Sequence, residues 1–283
     1  MSGACSTVCG LPYRAGRAFP RRPSVLADAS SRSGHGAFEA AIIDLDGTLV
    51  DTMGDFVLAL NLMLADLSLP AVARSVVETR VGKGSAHLIR AVLDHVQNMP
   101  VAHVEPAKAA IHSGADAELF AAAWRSYQRH YLAINGQHAC VYPGVMDGLK
   151  RLQDGGLRLA CLTNKPIAFA RPLLKSKGLE SFFQVVFGGD SFERKKPDPL
   201  PLLKTCEALH SPPGRTLMIG DSSNDARAAR AAGCPVVLVT YGYNHGEPVR
   251  GVDADGFVDT LAAIELAGLQ TITGLSPRWS MPA

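Results

Sequence analysis

A chain of 283 residues is long enough for about two domains of ordinary size. Hydrophobic residues make up 47% and charged residues 19%, which is typical of a soluble globular protein and excludes a disordered or fibrous chain. The formal net charge of +2, with no block of Lys and Arg interleaved with aromatic residues, argues against a nucleic-acid partner. No run of about 18 or more apolar residues occurs, so we expect no membrane span.

The cysteines and the two ends of the chain carry little chemistry. The six cysteines, at positions 5, 9, 140, 161, 206 and 234, form no C-x-x-C pair, and we expect a reducing, cytoplasmic location. Residues 1–36 are rich in Arg, Ser, Gly, Ala and Pro with one acid, so we expect a disordered N-terminal extension. Residues 269–283 are expected to form a C-terminal tail.

The first elements in chain order are one strand and then several helices. Residues 40–43 are a short apolar run, typical of a strand buried on both faces. Residues 55–64, 85–96 and 116–134 have apolar positions at three- and four-residue steps, which predicts helices. Residues 97–115, with two prolines, are predicted to be a loop or an irregular turn of helix. We therefore expect a helical cap over residues 52–139.

From residue 143 the pattern changes to alternating helices and strands. Apolar runs at 157–162, 184–187, 216–219 and 236–239 predict strands, and the segments 145–152, 167–177, 199–209 and 223–232 predict helices. This alternation is typical of a parallel sheet covered on both faces. The expected fold is α/β, with a doubly wound, Rossmann-like core made of residues 37–51 and 140–268 and an inserted helical cap domain.

Two carboxylates stand at the end of the first strand. Asp44 and Asp46 are two residues apart and are followed by Gly47, where we expect the chain to turn. Two close carboxylates repel each other unless a cation lies between them, and hard oxygen ligands without His or Cys favour magnesium over zinc. The alternative is an ordinary Asp-rich turn.

Three further segments place polar groups where open α/β sheets bind their ligands. Thr163 and Asn164 follow a strand and precede a helix, where they could cradle a phosphate or simply cap the helix. Lys196 lies beside two prolines that would hold it still, although a solvated basic turn is possible. Asp221 could complete a magnesium site, and Asp225 could ligate through water or cap the next helix. Suitable polar groups at the ends of all these segments are much less probable by accident than a suitable group at any one of them.

In this order the motifs resemble those of the haloacid dehalogenase-like phosphohydrolases, whose first motif is Asp-x-Asp-Gly-Thr after a hydrophobic strand. Within that superfamily the chain is most similar to phosphoglycolate phosphatases. The similar stretches are 44–51, 163–166, 196–199, 220–225 and Tyr-Gly-Tyr-Asn-His-Gly at 241–246. The resemblance covers residues 39–268; residues 1–36 and the loop around 98–114 depart from the family pattern.

The resemblance implies a mechanism. Asp44 would attack phosphorus and form an aspartyl-phosphate, and Asp46 would serve as general acid and then general base. Mg²⁺ would be held by the Asp44 carboxylate, the Asp46 backbone carbonyl and Asp221, with Asp225 as a direct or indirect ligand. Phosphoryl oxygens would be bound by Thr163, Asn164 and Lys196.

The resemblance also implies a substrate. The cap segment 80–84 resembles the family's specificity loop, and Arg80 or Lys83 could meet the carboxylate of 2-phosphoglycolate, unless both are solvated cations. The expected function is magnesium-dependent hydrolysis of 2-phosphoglycolate. The alternatives are another small phosphate ester or pyrophosphate, or a non-catalytic binding module on the same fold. We expect a small phosphorylated metabolite as partner, no nucleic acid or membrane, and a monomer or small homo-oligomer.

Overall fold

The computed structural model of the chain describes residues 38–99 and 113–265. Its strands are β1 Ala40–Ile43, β2 Val50–Asp51, β3 Cys140–Val141, β4 Arg158–Leu162, β5 Val185–Phe187, β6 Thr216–Gly220, β7 Val236–Val239 and β8 Gly256–Val258. Six of them form a parallel sheet in the order β5-β4-β1-β6-β7-β8. β1 lies between β4 and β6, so the carboxyl ends of these three strands meet at one edge of the sheet, where such sheets bind ligands.

Helices cover both faces of this sheet and also form a separate segment. They are α1 Met53–Asp66, α2 Arg74–Glu78, α3 Ser85–Gln97, α4 Ser113–Ile134, α5 Val145–Asp154, α6 Ile167–Ser176, α7 Leu200–Ala208 and α8 Ser223–Ala232. Because side chains alternate along a strand, Ala41 and Ile43 pack with α5 and α6, whereas Ala40 and Ile42 pack with α7 and α8. The doubly wound α/β core expected from the sequence is confirmed.

The helices α1 to α4 have their own apolar core. These helices lie between β2 and β3 in the chain, and the two short strands pair with each other antiparallel, outside the six-stranded sheet. The apolar side chains of the four helices, including the fully buried Tyr127 and Tyr131 of α4, pack together. Phe169, from α6, joins the same cluster and so connects the helical cap to the sheet domain.

The structure adds elements that the sequence did not predict. α2 has only five residues, too few to show a helical period, and β8 is a partly buried edge strand of three residues. The pair β2 and β3 was also missed, since two-residue strands carry no pattern. The predicted extension 1–36, the tail 269–283 and most of the predicted loop 97–115 lie outside the described residues. Within the described ranges, every helix is too short or too polar to cross a membrane.

Candidate active site

Asp44 directly follows β1 and lies at the centre of the site. Its Oδ1 is 3.0 Å from Nζ of Lys196 and accepts a hydrogen bond of 2.7 Å from the backbone N–H of Leu45. The Lys196 ammonium also donates to the carbonyl of Leu162, at the end of β4, at 2.8 Å. Burial raises the pKa of Asp44 to about 7, although the charge of Lys196 acts in the opposite direction. Asp44 therefore needs nearby positive charge to stay ionised.

Three buried carboxylates meet at this edge of the sheet. Asp44, Asp221 and Asp225 have oxygen atoms within 4.8 Å of one another. Burial, followed by repulsion from the other two carboxylates, raises the pKa of Asp221 well above its usual value. Lys196 contributes one positive charge against these three negative ones, which leaves a net charge of −2 when all are ionised (−3 + 1). A divalent cation with oxygen ligands, such as magnesium, fits this charge and this donor set.

Asp225 has both carboxylate oxygens occupied. Oδ1 accepts a hydrogen bond of 2.7 Å from Lys196, and Oδ2 accepts one of 2.8 Å from Oγ of Ser222. The Ser222 and Asp225 side chains form a capping box at the start of α8. These contacts favour helix capping and an indirect part in metal binding over direct ligation. The direct role stays a prediction.

Lys196 is held as a cation by its surroundings. Burial would lower its pKa, but the carboxylates of Asp225 and Asp44 outweigh burial and raise the pKa. Its side chain is only 2% exposed. The ammonium therefore stays charged and lies beside Asp44, where it can donate a hydrogen bond to an anion that binds there.

Asp46 has a partner that sequence reasoning missed. Its two carboxylate oxygens accept hydrogen bonds of 2.7 and 2.9 Å from Nζ of Lys165, and Oδ1 accepts another of 2.8 Å from Oγ1 of Thr52. The Lys165 ammonium lies 4.4 Å from the ring centre of Phe56 and 4.9 Å from that of Tyr131, both in the cap. Its side chain is 1% exposed. The only sequence feature that could have indicated this role for Lys165 is its position directly after the predicted Thr163 and Asn164.

Thr163 and Asn164 line the same cavity as Asp44 and Asp46. Oγ1 of Thr163 accepts a hydrogen bond of 3.2 Å from the backbone N–H of Lys165. Nδ2 of Asn164 donates to the carbonyl of Lys196 at 2.8 Å and to the carbonyl of Gly82, in the cap, at 3.0 Å. Asn164 thus joins the cap to the core, and these contacts do not support the prediction that its amide binds a phosphoryl oxygen.

The carbonyl of Gly82 is held from a second direction. Nδ2 of Asn224, in α8, donates to it at 3.2 Å and also lies 3.2 Å from Nε2 of His245. Gly82 has φ +109°, and a Cβ there would lie 2.8 Å from Cε1 of His245. Only glycine allows this close approach of the cap loop to the core.

Arg80 and Lys83 do not line the cavity. The Arg80 guanidinium donates to the carbonyls of Val76 at 2.7 Å and Ala91 at 3.3 Å, so it braces the cap from within. Lys83 is exposed. Their placement does not support the prediction that either meets the substrate carboxylate. The residues of the cap that line the cavity are Phe56, Val81, Gly82, Gly84, Ser85 and Leu88.

Tyr243, in the segment 241–246, forms hydrogen bonds on both sides of the site. The backbone N–H of Tyr243 donates to Oδ2 of Asp221 at 2.8 Å, and its hydroxyl donates to Oδ1 of Asp51 at 2.7 Å. The same hydroxyl accepts a hydrogen bond of 2.8 Å from the backbone N–H of Thr52. Asp51 and Thr52 lie where the chain leaves for the cap, so Tyr243 connects a candidate metal ligand to this junction.

The sequence and the fold of this chain are similar to those of known proteins. The family model described as haloacid dehalogenase-like hydrolase matches residues 38–233. A phosphoglycolate phosphatase of Thiobacillus denitrificans is 42% identical over 228 residues, which cover 81% of this chain and 94% of the relative. A crystal structure of a predicted phosphoglycolate phosphatase from Haemophilus somnus is similar with a TM-score of 0.73 and 31% identity, over 81% of this chain and 97% of the other.

A further solved structure carries a ligand. CbbY from Rhodobacter sphaeroides, in complex with phosphate, is 25% identical with a TM-score of 0.65, over 82% of this chain and 99% of the other. The family model spans well over half of the chain, and the motifs lie in order along the same region. The chain therefore belongs to the haloacid dehalogenase-like hydrolase family.

Proposed function

We propose that this phosphoric monoester hydrolase acts on 2-phosphoglycolate and releases glycolate and phosphate through an aspartyl-phosphate. The observation that carries the proposal is the ion pair of Asp44 with the buried Lys196, beside Asp221, in a chain whose relatives include phosphoglycolate phosphatases. The substrate is thus a small phosphorylated metabolite. The cytoplasmic location and the monomer or small homo-oligomer stay predictions.

In this proposal Asp44 attacks the phosphorus in line while Lys196 and Thr163 bind the phosphoryl oxygens. The protonated carboxyl of Asp46 gives its proton to the leaving alkoxide, and the carboxylate so formed later takes a proton from the attacking water, which restores the acid. The Lys165 ammonium holds the Asp46 carboxylate in place through its two hydrogen bonds. Asn164 and Asn224 hold the cap over the reacting groups, where it excludes bulk water.

Asp44 and Asp221 are the carboxylates that we propose to hold magnesium, together with the backbone carbonyl of Asp46. Asp225 supports them by fixing Lys196 and the start of α8. When bound, magnesium supplies positive charge that lets an anionic nucleophile approach an anionic substrate.

The proposal is tested by phosphate release from 2-phosphoglycolate and a panel of small phosphate esters and pyrophosphate. The wild type and Asp44→Asn are compared in magnesium and in EDTA. We expect release that needs magnesium, favours 2-phosphoglycolate and is lost in Asp44→Asn.

Other outcomes separate the alternatives. Magnesium-dependent release from other esters alone would keep the reaction class and reject 2-phosphoglycolate as substrate. Absence of release from every compound would reject the enzymatic proposal in favour of a binding module.

A further inference from the structure

Two buried cysteines are in contact on the face of the sheet that α7 and α8 cover. Cys206 lies in the last turn of α7, and Cys234 follows Gly233, the residue that ends α8. Their Sγ atoms are 3.9 Å apart, although the two residues are 28 positions apart in the sequence. Cys234 lies two residues before β7, and Cys206 interacts with Thr216, the first residue of β6, so the pair is near the amino ends of the strands. The candidate active site is at the opposite edge, and the proposed reaction uses neither thiol.

The pair lies just beneath the surface. Glu207 and Gly233, which adjoin the two cysteines in the chain, are exposed. A Cβ placed on Gly233 would have open space around it. Both cysteines lie at helix ends, where the last backbone carbonyls have no helical partners and the chain opens locally at low cost. A small molecule therefore needs only a local opening to reach the thiols.

The contact makes one thiol more acidic than the other. The hydrogen bond that Cys234 donates lowers the pKa of Cys206, although burial acts in the opposite direction. The same hydrogen bond, followed by burial, raises the pKa of Cys234. Because the thiolate is the reactive form of cysteine, Cys206 is the nucleophile of the pair, and Cys234 lies within reach of the oxidised sulfur that forms there.

We propose that Cys206 and Cys234 are a reversible redox pair, which hydrogen peroxide or another small hydroperoxide oxidises to a disulfide. The Cys206 thiolate attacks one oxygen of hydrogen peroxide, the O–O bond breaks, and the hydroxide released takes a proton and leaves as water. The sulfur of Cys234 then attacks the sulfenic acid on Cys206, and a second water leaves as the S–S bond forms. In total, two thiols lose two hydrogen atoms, and one peroxide is reduced to two waters. A dithiol reductant restores both thiols by exchange.

The other described cysteines lie apart from this pair. Cys161 packs on the opposite face of the sheet, and Cys140 is exposed in β3, so neither competes with the pair in the folded chain. The two sulfur atoms must approach by about 2 Å to bond, a movement that the ends of α7 and α8 can make because few hydrogen bonds hold them. Disulfides in a reducing cytoplasm, the location expected for this chain, are usually transient and redox-sensing. The pair therefore fits a reversible response to peroxide better than a permanent cross-link.

The test is peptide mapping of the folded wild-type chain after treatment with hydrogen peroxide. The peroxide dose is raised until the exposed Cys140 is oxidised, and the remaining thiols are then blocked with iodoacetamide in denaturant. Trypsin leaves one cysteine of the pair in each of the peptides 205–215 and 231–250, since it cleaves after Lys204, Arg215, Arg230 and Arg250. Cys206→Ala removes the nucleophile, and Cys140→Ala is the matched control.

We expect a disulfide to join the two peptides in the wild type and in Cys140→Ala, with loss of most of the alkylated form of each. Dithiothreitol added after the peroxide should restore both alkylated peptides, and Cys206→Ala should give no joined peptide. Recovery of Cys206 and Cys234 as alkylated thiols, at a dose that oxidises Cys140 in the wild type, would overturn the inference. A disulfide from Cys206 to another cysteine, or irreversible oxidation of Cys206 without a disulfide, would overturn it as well. All of these outcomes leave the proposed phosphatase activity untouched.

Discussion

The buried ion pair between Lys165 and Asp46 leads to a prediction that can be worked out from the structure. Lys165→Met keeps most of the aliphatic volume between the rings of Phe56 and Tyr131 and removes the charge. The two hydrogen bonds of 2.7 and 2.9 Å to Asp46 are lost. Asp46 keeps its hydrogen bond of 2.8 Å from Thr52.

The expected cost follows from the burial of both side chains. The side chains of Lys165 and Asp46 are 1% and 12% exposed. Removing one member of a buried pair costs about 3–5 kcal/mol, because the other charge stays buried without a partner. Thr52 and the slight exposure of Asp46 reduce that cost, so we expect the free energy of unfolding to fall by about 3 kcal/mol.

The assay is a double-mutant cycle in chemical denaturant. Asp46→Asn in the Lys165→Met background removes the unpaired charge, and we expect it to restore about 1–3 kcal/mol of the lost stability. Lys177→Met is the control, since Nζ of Lys177 bonds to two neutral carbonyls, those of Gly136 and Ala139. The loss of stability caused by Lys177→Met should be the same whether residue 46 is Asp or Asn.

Turnover gives a second measure of the same pair. A misplaced general acid should lower kcat on 2-phosphoglycolate by about 100-fold. The loss should be smaller on p-nitrophenyl phosphate, because nitrophenolate leaves without a proton. The proposed role of Lys165 would be refuted by two results together. The losses of stability in Lys165→Met and Asp46→Asn would add up in the double variant, and kcat of Lys165→Met would fall equally on 2-phosphoglycolate and p-nitrophenyl phosphate.

Three further predictions concern the cap and the metal. Gly82→Ala should lower kcat/KM strongly, because the added Cβ would lie 2.8 Å from Cε1 of His245. Gly178 also has a positive φ, +70°, but has open space around it, so Gly178→Ala should lower only the stability. Similar steady-state kinetics for the two variants would contradict this prediction. Arg80→Ala should lower the melting temperature and leave KM for 2-phosphoglycolate unchanged, since its guanidinium bonds to cap carbonyls; a rise in KM at unchanged melting temperature would contradict it. Because the pKa of Asp44 is raised to about 7, protons compete with magnesium, and calorimetry should show weaker binding as pH falls below that value; equal affinity at about pH 5.5 and 7.5 would be inconsistent with this.

The arrangement of the sheet was predictable because it depends on local patterns. The apolar run 40–43 became β1 with the same bounds, and the runs ending near 162 and 219 became its neighbours β4 and β6. Parallel strands present their carboxyl ends at one edge. That rule alone predicts that Asp44, Thr163 and Asp221 lie near one another.

The partners of individual side chains were not predictable from the same patterns. Lys165 and Asp46 are 119 positions apart, and their pairing depends on how α6 and the cap pack together. Arg80 lies in a segment that resembles a specificity loop, yet its guanidinium turns toward α3 because carbonyls of the cap accept its hydrogen bonds there. Spacing along the chain gives the residue types at a site, while side-chain directions depend on tertiary packing.

The central claim, that Asp44 is the nucleophile, is tested most directly by trapping the phosphorylated enzyme. Asp46→Asn, which lacks the proposed base for the second step, is mixed with magnesium and p-nitrophenyl phosphate, whose leaving group needs no proton in the first step, and is quenched in acid. Peptide mass spectrometry then locates any added phosphoryl group. The account predicts that one phosphoryl group accumulates on Asp44 and is absent from the Asp44→Asn protein, whereas a phosphoryl group on another residue, or turnover by Asp44→Asn at the wild-type rate, would contradict it.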